Sequence, residues 1–131
     1  DFCFLTGWDA ALVPMLAVGC DGGTNATSCV LPEITRQLYD VVRAGRLADA
    51  VALQARVTEL FDALILGADF PEGVRAGVEL RGFRMGRSRQ PQTAEQVADL
   101  GRLVGRLQAI LARLGVDVAR PEAAARLPRT T

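Results

Sequence analysis

The chain has 131 residues, of which half are hydrophobic and 23% are charged, and its formal net charge is zero. A chain of this length normally forms one domain with its own core, and its neutral balance gives no electrostatic reason to expect nucleic acid or an anionic membrane as a partner. No apolar run approaches the roughly 20 residues of a membrane span, and the first residues lack the positive stretch of a secretory signal, so we expect a cytoplasmic protein.

The chain lacks two residue types that carry much of enzyme chemistry. It has no histidine, and its fifteen basic residues are all arginine, so lysine is absent as well. Without imidazole or a side-chain amine, the chain by itself can neither do acid–base work near neutral pH in the usual way nor form a Schiff base. Any chemistry of this segment alone would have to come from carboxylates, hydroxyls, thiols or arginine.

The cysteines are odd in number and far apart. They are Cys3, Cys20 and Cys29, and no two of them form a Cys-x-x-Cys pair. Because a zinc site needs about four ligands at short paired spacings, we expect no metal. The pattern favours three buried free thiols in a reducing compartment.

The first 28 residues predict a strand, a short helix and a second strand. Residues 2–6 are apolar and aromatic, as in a buried strand. Pro14 suits the first turn of a helix that ends before Gly19. We expect residues 21–23 to form a turn and residues 24–28 to form the second strand, which would be parallel to the first.

Beyond Cys29 the pattern is helical only. Thr93 and Gln96 have the spacing of a capping box at the start of the last helix. The tail from residue 116 to residue 131 is expected to be loosely ordered. The predicted helices run from Pro32 to Ala44, from Leu47 down to Gly67, from near Pro71 to about Leu80–Gly82, and from Thr93 to Gly115.

Four segments occur in an order and spacing that resemble a known family. They read FLTGWD, VGCDGGTNATS, LPEITRQLYDVVRAGRLADAVALQ and RAGVELRGFRMGRSRQP. Together, from about Phe2 to Gly115, they resemble the carboxyl-terminal part of the dihydrodipicolinate synthase and N-acetylneuraminate lyase family. The Gly-x-Asp of the first segment and the Asp-Gly-Gly of the second are weak signals alone. The two later segments, in this order and spacing, make the case strong.

The resemblance implies an α/β fold, a (β/α)8 TIM barrel followed by a carboxyl-terminal helical domain. Such a barrel needs about 250 residues, so this chain would hold only its last two β/α units and would be mostly helical. We expect residues 1–45 to belong to the barrel, residues 46–115 to the helical domain and residues 116–131 to the tail.

The resemblance also implies a chemistry. Family members hold pyruvate or a related 2-oxo acid as a Schiff base on a strand lysine, helped by a tyrosine, and both residues lie upstream of the matched region. The chain would then contain no catalytic residue, would need no cofactor, and would act with a 2-oxo acid and an aldehyde as substrates. A homo-oligomer, often a tetramer, is expected.

The resemblance implies that five residues border the substrate, because they lie in the two segments that end or form the last barrel strands. Gly7 and Asp9 match positions that contact substrate hydroxyls in the lyase branch, and Thr24 matches a position beside the bound pyruvate. The full set of expected substrate-binding residues is Gly7, Asp9, Gly23, Thr24 and Thr27.

Two departures from the lyase branch concern substrate choice. Ala10 stands where that branch has a glutamate, and Ala26 stands where it has a serine. Losing both polar groups argues against sialic acid itself as the substrate.

Other interpretations of the same residues stay open at this point. Asp9 could simply stabilise the dipole of a helix start, Trp8 could be a packing residue, and the glycines at 22 and 23 could form a turn without a ligand. The arginines between 81 and 89 are better explained by salt bridges than by nucleic acid, since few aromatics accompany them. The whole segment could be a non-catalytic helical interaction or assembly module.

Overall fold

The computed structural model describes residues 2–86 and 88–118, and it is mostly helical. Short 3₁₀ turns at Asp9–Ala11 and Ala26–Cys29 lie between the regular elements. These elements are β1 (Leu5–Thr6), α1 (Leu12–Ala17), β2 (Gly22–Gly23), α2 (Pro32–Arg43), α3 (Leu47–Leu66), α4 (Glu72–Leu80) and α5 (Ala94–Arg113). The predicted loose tail lies, from residue 119 onward, outside the described residues.

The described residues form two compact units, and the boundary between them in the chain falls within α3. The first unit extends to Asp62 and the second begins at Ala63. This division reflects contacts within the present chain. The domain boundary expected after residue 45 stays a prediction for a longer protein.

In the first unit, β1 and β2 pair in parallel, as the strand-helix-strand pattern predicts. Leu5 is opposite Gly22 and Thr6 is opposite Gly23. The Thr24 N–H extends the pairing by donating to the Thr6 carbonyl oxygen at 2.8 Å. The parallel direction places the carboxyl ends of both strands at one edge of the pair.

The position expected for the second strand is wrong. The glycines at 22 and 23, expected in a turn, form β2, and residues 26–29 of the expected strand form a 3₁₀ turn instead. A Cβ atom on Gly22 would lie only 3.2 Å from Leu5 Cδ2, so the absence of a side chain lets the two strands approach closely. The N–H groups of Ala26 and Thr27, which follow β2, donate to the Asp9 side chain and not to a neighbouring strand.

The apolar start of the chain is exposed, contrary to the expected buried strand. Phe2, Phe4 and Leu5 are all exposed, whereas Thr6 is buried. The prediction of three buried thiols is also partly wrong, because Cys20 is buried but Cys3 and Cys29 are exposed. Among the described residues the sheet has only two strands, so β1 has no second neighbour to cover it.

The core of the first unit is formed by three helices. Leucine and valine side chains recur at helical spacings in α1, α2 and the first part of α3, so each helix presents an apolar face. The buried side chains of this core are Leu12, Val13, Leu16, Leu38, Val41, Ala50 and Val57. Helix α1, which contributes to this core, also contacts β2.

The second unit contains α4, α5 and the last turn of α3. Its buried side chains include Leu64, Leu80, Leu103 and Leu107. A Cβ atom on Gly73 of α4 would overlap the carbonyl oxygen of Leu64, so glycine allows the two backbones to touch.

The helix limits agree with the sequence signals. The capping box at α5 is confirmed, because the Gln96 N–H donates to Thr93 Oγ1 at 3.2 Å and the Thr93 N–H donates to Gln96 Oε1 at 2.7 Å. Gly45 and Gly115, the expected stops of α2 and α5, have φ values of +72° and +71°. That left-handed backbone suits glycine and ends a helix.

Replacing Gly73 with alanine is expected to destabilise the second unit by about 1–3 kcal/mol, because the new methyl group must push α4 away from Leu64. The matched control is Gly101→Ala in α5, where a Cβ atom meets nothing within 4 Å. That substitution should stabilise the helix by up to about 1 kcal/mol. Urea unfolding of both variants measures the difference, and equal effects would contradict the close contact.

Candidate substrate-binding site

The five expected substrate-binding residues lie in two adjacent segments at the ends of β1 and β2, and one of them, Gly23, is the last residue of β2. Gly7 comes directly after β1, and a Cβ atom there would lie 3.9 Å from Thr24 Oγ1. Thr24 in turn follows β2 and is exposed. The structure therefore brings both segments to the carboxyl-terminal edge of the parallel pair, where parallel sheets bind ligands.

Asp9 holds the second segment against the first. Its Oδ1 accepts a hydrogen bond of 2.7 Å from the Thr27 N–H and a short one from Thr27 Oγ1. Its Oδ2 accepts from the Ala26 N–H at 3.2 Å. The Asp9 side chain is fully buried, and Thr27 is 1% exposed. Three donors thus converge on one carboxylate.

This arrangement gives Asp9 a defined structural task. It lies in the first turn of its own 3₁₀ segment, as the alternative interpretation required, but its carboxylate caps the start of the other one, Ala26–Cys29. Hydrogen bonds from backbone N–H groups to a carboxylate are stronger than those between neutral groups. Contact of Asp9 with a substrate hydroxyl stays a prediction.

Gln54 of α3 is a further part of the site that the sequence reasoning missed. Its side-chain Nε2 donates to the Asp9 carbonyl oxygen, and its Oε1 accepts from the Val13 N–H, both at 2.9 Å. It also donates to Thr58 Oγ1 at 3.3 Å. A signal existed, since Gln54 interrupts the apolar series that continues with Val57 on the same helix.

Asn25 lies between β2 and the capped turn. Its side chain folds back over the strand, so that a Cβ atom on Gly23 would overlap Asn25 Oδ1. A residue with a side chain at position 23 would therefore displace the Asn25 amide. Asn25 was not among the expected substrate-binding residues.

Trp8 packs against α3 at the rim of the same edge. Its ring lies 5.0 Å from that of Phe61, at an interplanar angle of 63°, which is an edge-to-face contact. The side chain is nevertheless 58% exposed. The contact supports the interpretation of Trp8 as a packing residue.

Within residues 2–86 and 88–118, no three cysteine, aspartate or glutamate side chains come together in a way that could hold a metal ion. In the same part of the chain, none of the helices combines the length and the apolar character needed to cross a membrane.

Asp9→Asn is expected to lower the free energy of unfolding by about 2–3 kcal/mol, because the new amide group turns a donor towards a backbone donor at Ala26 or Thr27. Asp21→Asn is the matched control. Its exposed carboxylate accepts one bond, from the Phe4 N–H at 2.8 Å, so its loss should stay within about 1 kcal/mol. Chemical denaturation measures both, and similar losses would show that the Asp9 contacts contribute little.

Gln54→Leu keeps the approximate size of the side chain but removes its three hydrogen bonds. We expect a loss of about 2 kcal/mol or more, since the Val13 N–H loses its acceptor. Gln37→Leu, at an exposed position of α2, should change stability by no more than about 0.5 kcal/mol. Thermal unfolding followed by circular dichroism compares the two, and the prediction fails if they melt alike.

Comparison of the sequence with known proteins identifies its family. The dihydrodipicolinate synthetase family model matches residues 1–109. An uncharacterised DapA-like lyase of Halobacterium salinarum is 40% identical over 91 residues, which is 70% of this chain and 30% of the relative. An N-acetylneuraminate lyase of Actinobacillus pleuropneumoniae is 28% identical over 89 residues, covering 68% of this chain and 30% of that protein.

A solved structure has the same fold. A variant of the 2-keto-3-deoxygluconate aldolase of Sulfolobus solfataricus superposes with a TM-score of 0.65 at 22% identity, covering 83% of this chain and 38% of that one. The chain thus spans less than a third of the length of the two curated relatives. Because the family model covers most of the chain, the expected family is confirmed: the chain belongs to the dihydrodipicolinate synthetase family.

Proposed function

We propose that this chain is the carboxyl-terminal part of a Schiff-base-forming aldolase or lyase that acts on pyruvate or a related 2-oxo acid. One observation carries the proposal beyond family membership. Polar and glycine residues of two separate segments converge at the carboxyl ends of two parallel strands, which is the edge where barrels of this architecture hold their substrates.

In this proposal β1 and β2 are the last two strands of a (β/α)8 barrel, and the later helices belong to the appended helical domain. The exposed apolar residues Phe2, Phe4 and Leu5 would then pack against parts of the barrel that lie outside this chain. That assignment explains why a two-stranded parallel sheet, normally an unfavourable arrangement, occurs here.

The covalent step would be carried out elsewhere in the longer protein. A lysine amine attacks the C2 carbonyl of the 2-oxo acid and expels water to form the imine, and this chain has no lysine. The catalytic lysine and tyrosine are therefore proposed to lie upstream. The imine would support reversible carbon–carbon cleavage or condensation with an aldehyde, or dehydration of a sugar acid.

The residues of this chain would position the substrate. Gly7 leaves room for a ligand to approach the backbone, and Thr24 offers an exposed hydroxyl beside it. Gly23 would line the same edge beneath the Asn25 side chain. Asp9 and Thr27 would keep the rim of the site rigid, with Asp9 also a candidate for contact with substrate hydroxyls. Positioning of this kind accelerates a reaction by fixing the geometry of attack.

The substrate class is proposed to be a 2-oxo acid with a hydroxylated tail. A relative is named for N-acetylneuraminate, but Ala10 and Ala26 provide no polar group where the lyase branch has two. A smaller hydroxylated acid, of the kind named for the Sulfolobus aldolase, fits that less polar rim better.

The test is borohydride trapping on the natural protein that carries these residues. After incubation with pyruvate and borohydride, the intact mass should rise by one reduced pyruvate adduct, because the reduced imine is a stable amine. Peptide mapping should place the adduct on a lysine outside the 131 residues. Protein treated with borohydride alone is the control.

A protein that gains no adduct would contradict the proposal. The family fold would then serve a non-catalytic interaction or assembly module, which is the alternative that the sequence left open. The homotetramer expected for the family stays a prediction and is measured separately, by light scattering of the same sample.

A further inference from the structure

Gln54 of α3 holds two polar backbone groups of the segment that follows β1. Its Nε2 donates to the Asp9 carbonyl oxygen, and its Oε1 accepts from the Val13 N–H, both at 2.9 Å. The side chain is partly buried, and its partners lie 45 and 41 residues away along the chain. One amide therefore fixes both ends of the stretch from Asp9 to Val13.

This stretch has little support of its own. It contains the three-residue 3₁₀ turn Asp9–Ala11 and the start of α1, and neither of these has a side-chain cap. Ala11 is the N-cap residue of α1, where alanine supplies no acceptor. The Val13 N–H belongs to the first turn of α1, whose N–H groups have no partner within the helix. Gln54 supplies the missing acceptor from another helix.

The bond to the Asp9 carbonyl oxygen extends the influence of Gln54 to the segment after β2. The Asp9 carboxylate accepts hydrogen bonds from the N–H groups of Ala26 and Thr27, at 3.2 Å and 2.7 Å. A displacement of Asp9 would therefore move the turn after β2 together with the backbone after β1. Both segments of the candidate site depend on the position of this one residue.

Helix capping alone does not account for the choice of glutamine. A serine, threonine or aspartate at position 11 would cap α1 locally, without the loss of freedom that a long side chain suffers when it is held in place. A local cap would leave the Asp9 carbonyl oxygen without the donor that Gln54 provides. The additional bond acts on the backbone that continues to Gly7, beside the exposed Thr24.

We propose that Gln54 is a positioning residue of the substrate site, which fixes the backbone from Gly7 to Asp9 where it borders the hydroxylated tail of a 2-oxo acid. The inference rests on the proposed function and adds a residue from outside the two strand-end segments. Gln54 acts through Asp9 and does not touch the substrate. A misplacement of about 1 Å that originates far from the reacting atoms can lower a rate by about 100-fold, so the effect is expected on recognition as well as on stability.

The experiment compares two probes in borohydride trapping by the natural full-length protein. Pyruvate has no hydroxylated tail, whereas 2-keto-3-deoxygluconate has the same 2-oxo acid group followed by hydroxyl-bearing carbons. Gln54→Leu should raise the half-saturating concentration of 2-keto-3-deoxygluconate by at least about tenfold, and that of pyruvate by less than about twofold. Adducts of the sugar acid and of pyruvate released from it are counted together, because both begin with binding of the sugar acid.

Gln54→Glu separates the two hydrogen bonds. Its carboxylate keeps an acceptor for the Val13 N–H but has no donor for the Asp9 carbonyl oxygen. If Gln54 positions the site through Asp9, this variant should raise the ratio of the two half-saturating concentrations as Gln54→Leu does. If Gln54 only caps α1, the variant should have the ratio of the wild-type protein.

Gly73→Ala is the control for a loss of stability that does not act on the site. The new Cβ atom overlaps the carbonyl oxygen of Leu64 in the second unit, so the melting temperature should fall. Substitutions that share no partner act independently, so the ratio of the two half-saturating concentrations should stay within about twofold of the wild-type value. Melting temperatures are measured for all variants.

The outcomes distinguish the two levels of the proposal. If both Gln54 variants lose the two probes equally, or if Gly73→Ala changes the ratio as much as they do, Gln54 acts on stability alone and its positioning role is overturned. The role is also overturned if the wild-type protein traps pyruvate but not 2-keto-3-deoxygluconate. In each of these cases the Schiff-base function stands. If the wild-type protein traps neither probe, the proposed function fails and the role of Gln54 fails with it.

Discussion

The shape of the candidate site depends on one buried carboxylate. Asp9 accepts three hydrogen bonds from Ala26 and Thr27, and by doing so it turns the backbone after β2 into a 3₁₀ turn instead of a longer strand. Gln54 fixes the other side of the same residue through the Asp9 carbonyl oxygen. Without this carboxylate, two backbone N–H groups and a hydroxyl would be buried without acceptors, which is among the more costly defects in a folded protein.

The glycines beside Asp9 follow from the same crowding. A Cβ atom on Gly22 would crowd the Leu5 side chain of β1, and Gly23 lies under the Asn25 side chain. Neither glycine has an unusual positive φ, so both are explained by close contact and not by backbone conformation.

The helical part of the chain was predictable to within a residue or two. Pro32 at a helix start, the glycine stops at Gly45 and Gly115, and the capping pair Thr93 and Gln96 all act locally, so the sequence carries their full signal. The second strand was misplaced because small residues such as those between 22 and 28 have weak strand preferences. In such a stretch, contacts with other segments decide the structure.

The sequence by itself determined the family, the helices and the chemical limit that no lysine or histidine is present. Only the tertiary structure shows that the Asp9 carboxylate accepts hydrogen bonds from Ala26 and Thr27 and so joins the segments after β1 and β2. It also shows that Asn25 Nδ2 is buried without a hydrogen-bond partner among the described residues. Asp9 and Thr27 are 18 residues apart, and Gln54 is 45 residues from Asp9. Hydrogen bonds over such separations impose no periodic pattern on the residues between them. The sequence therefore cannot indicate that Asp9 binds the N–H groups beside Asn25, and this becomes known only from the folded chain.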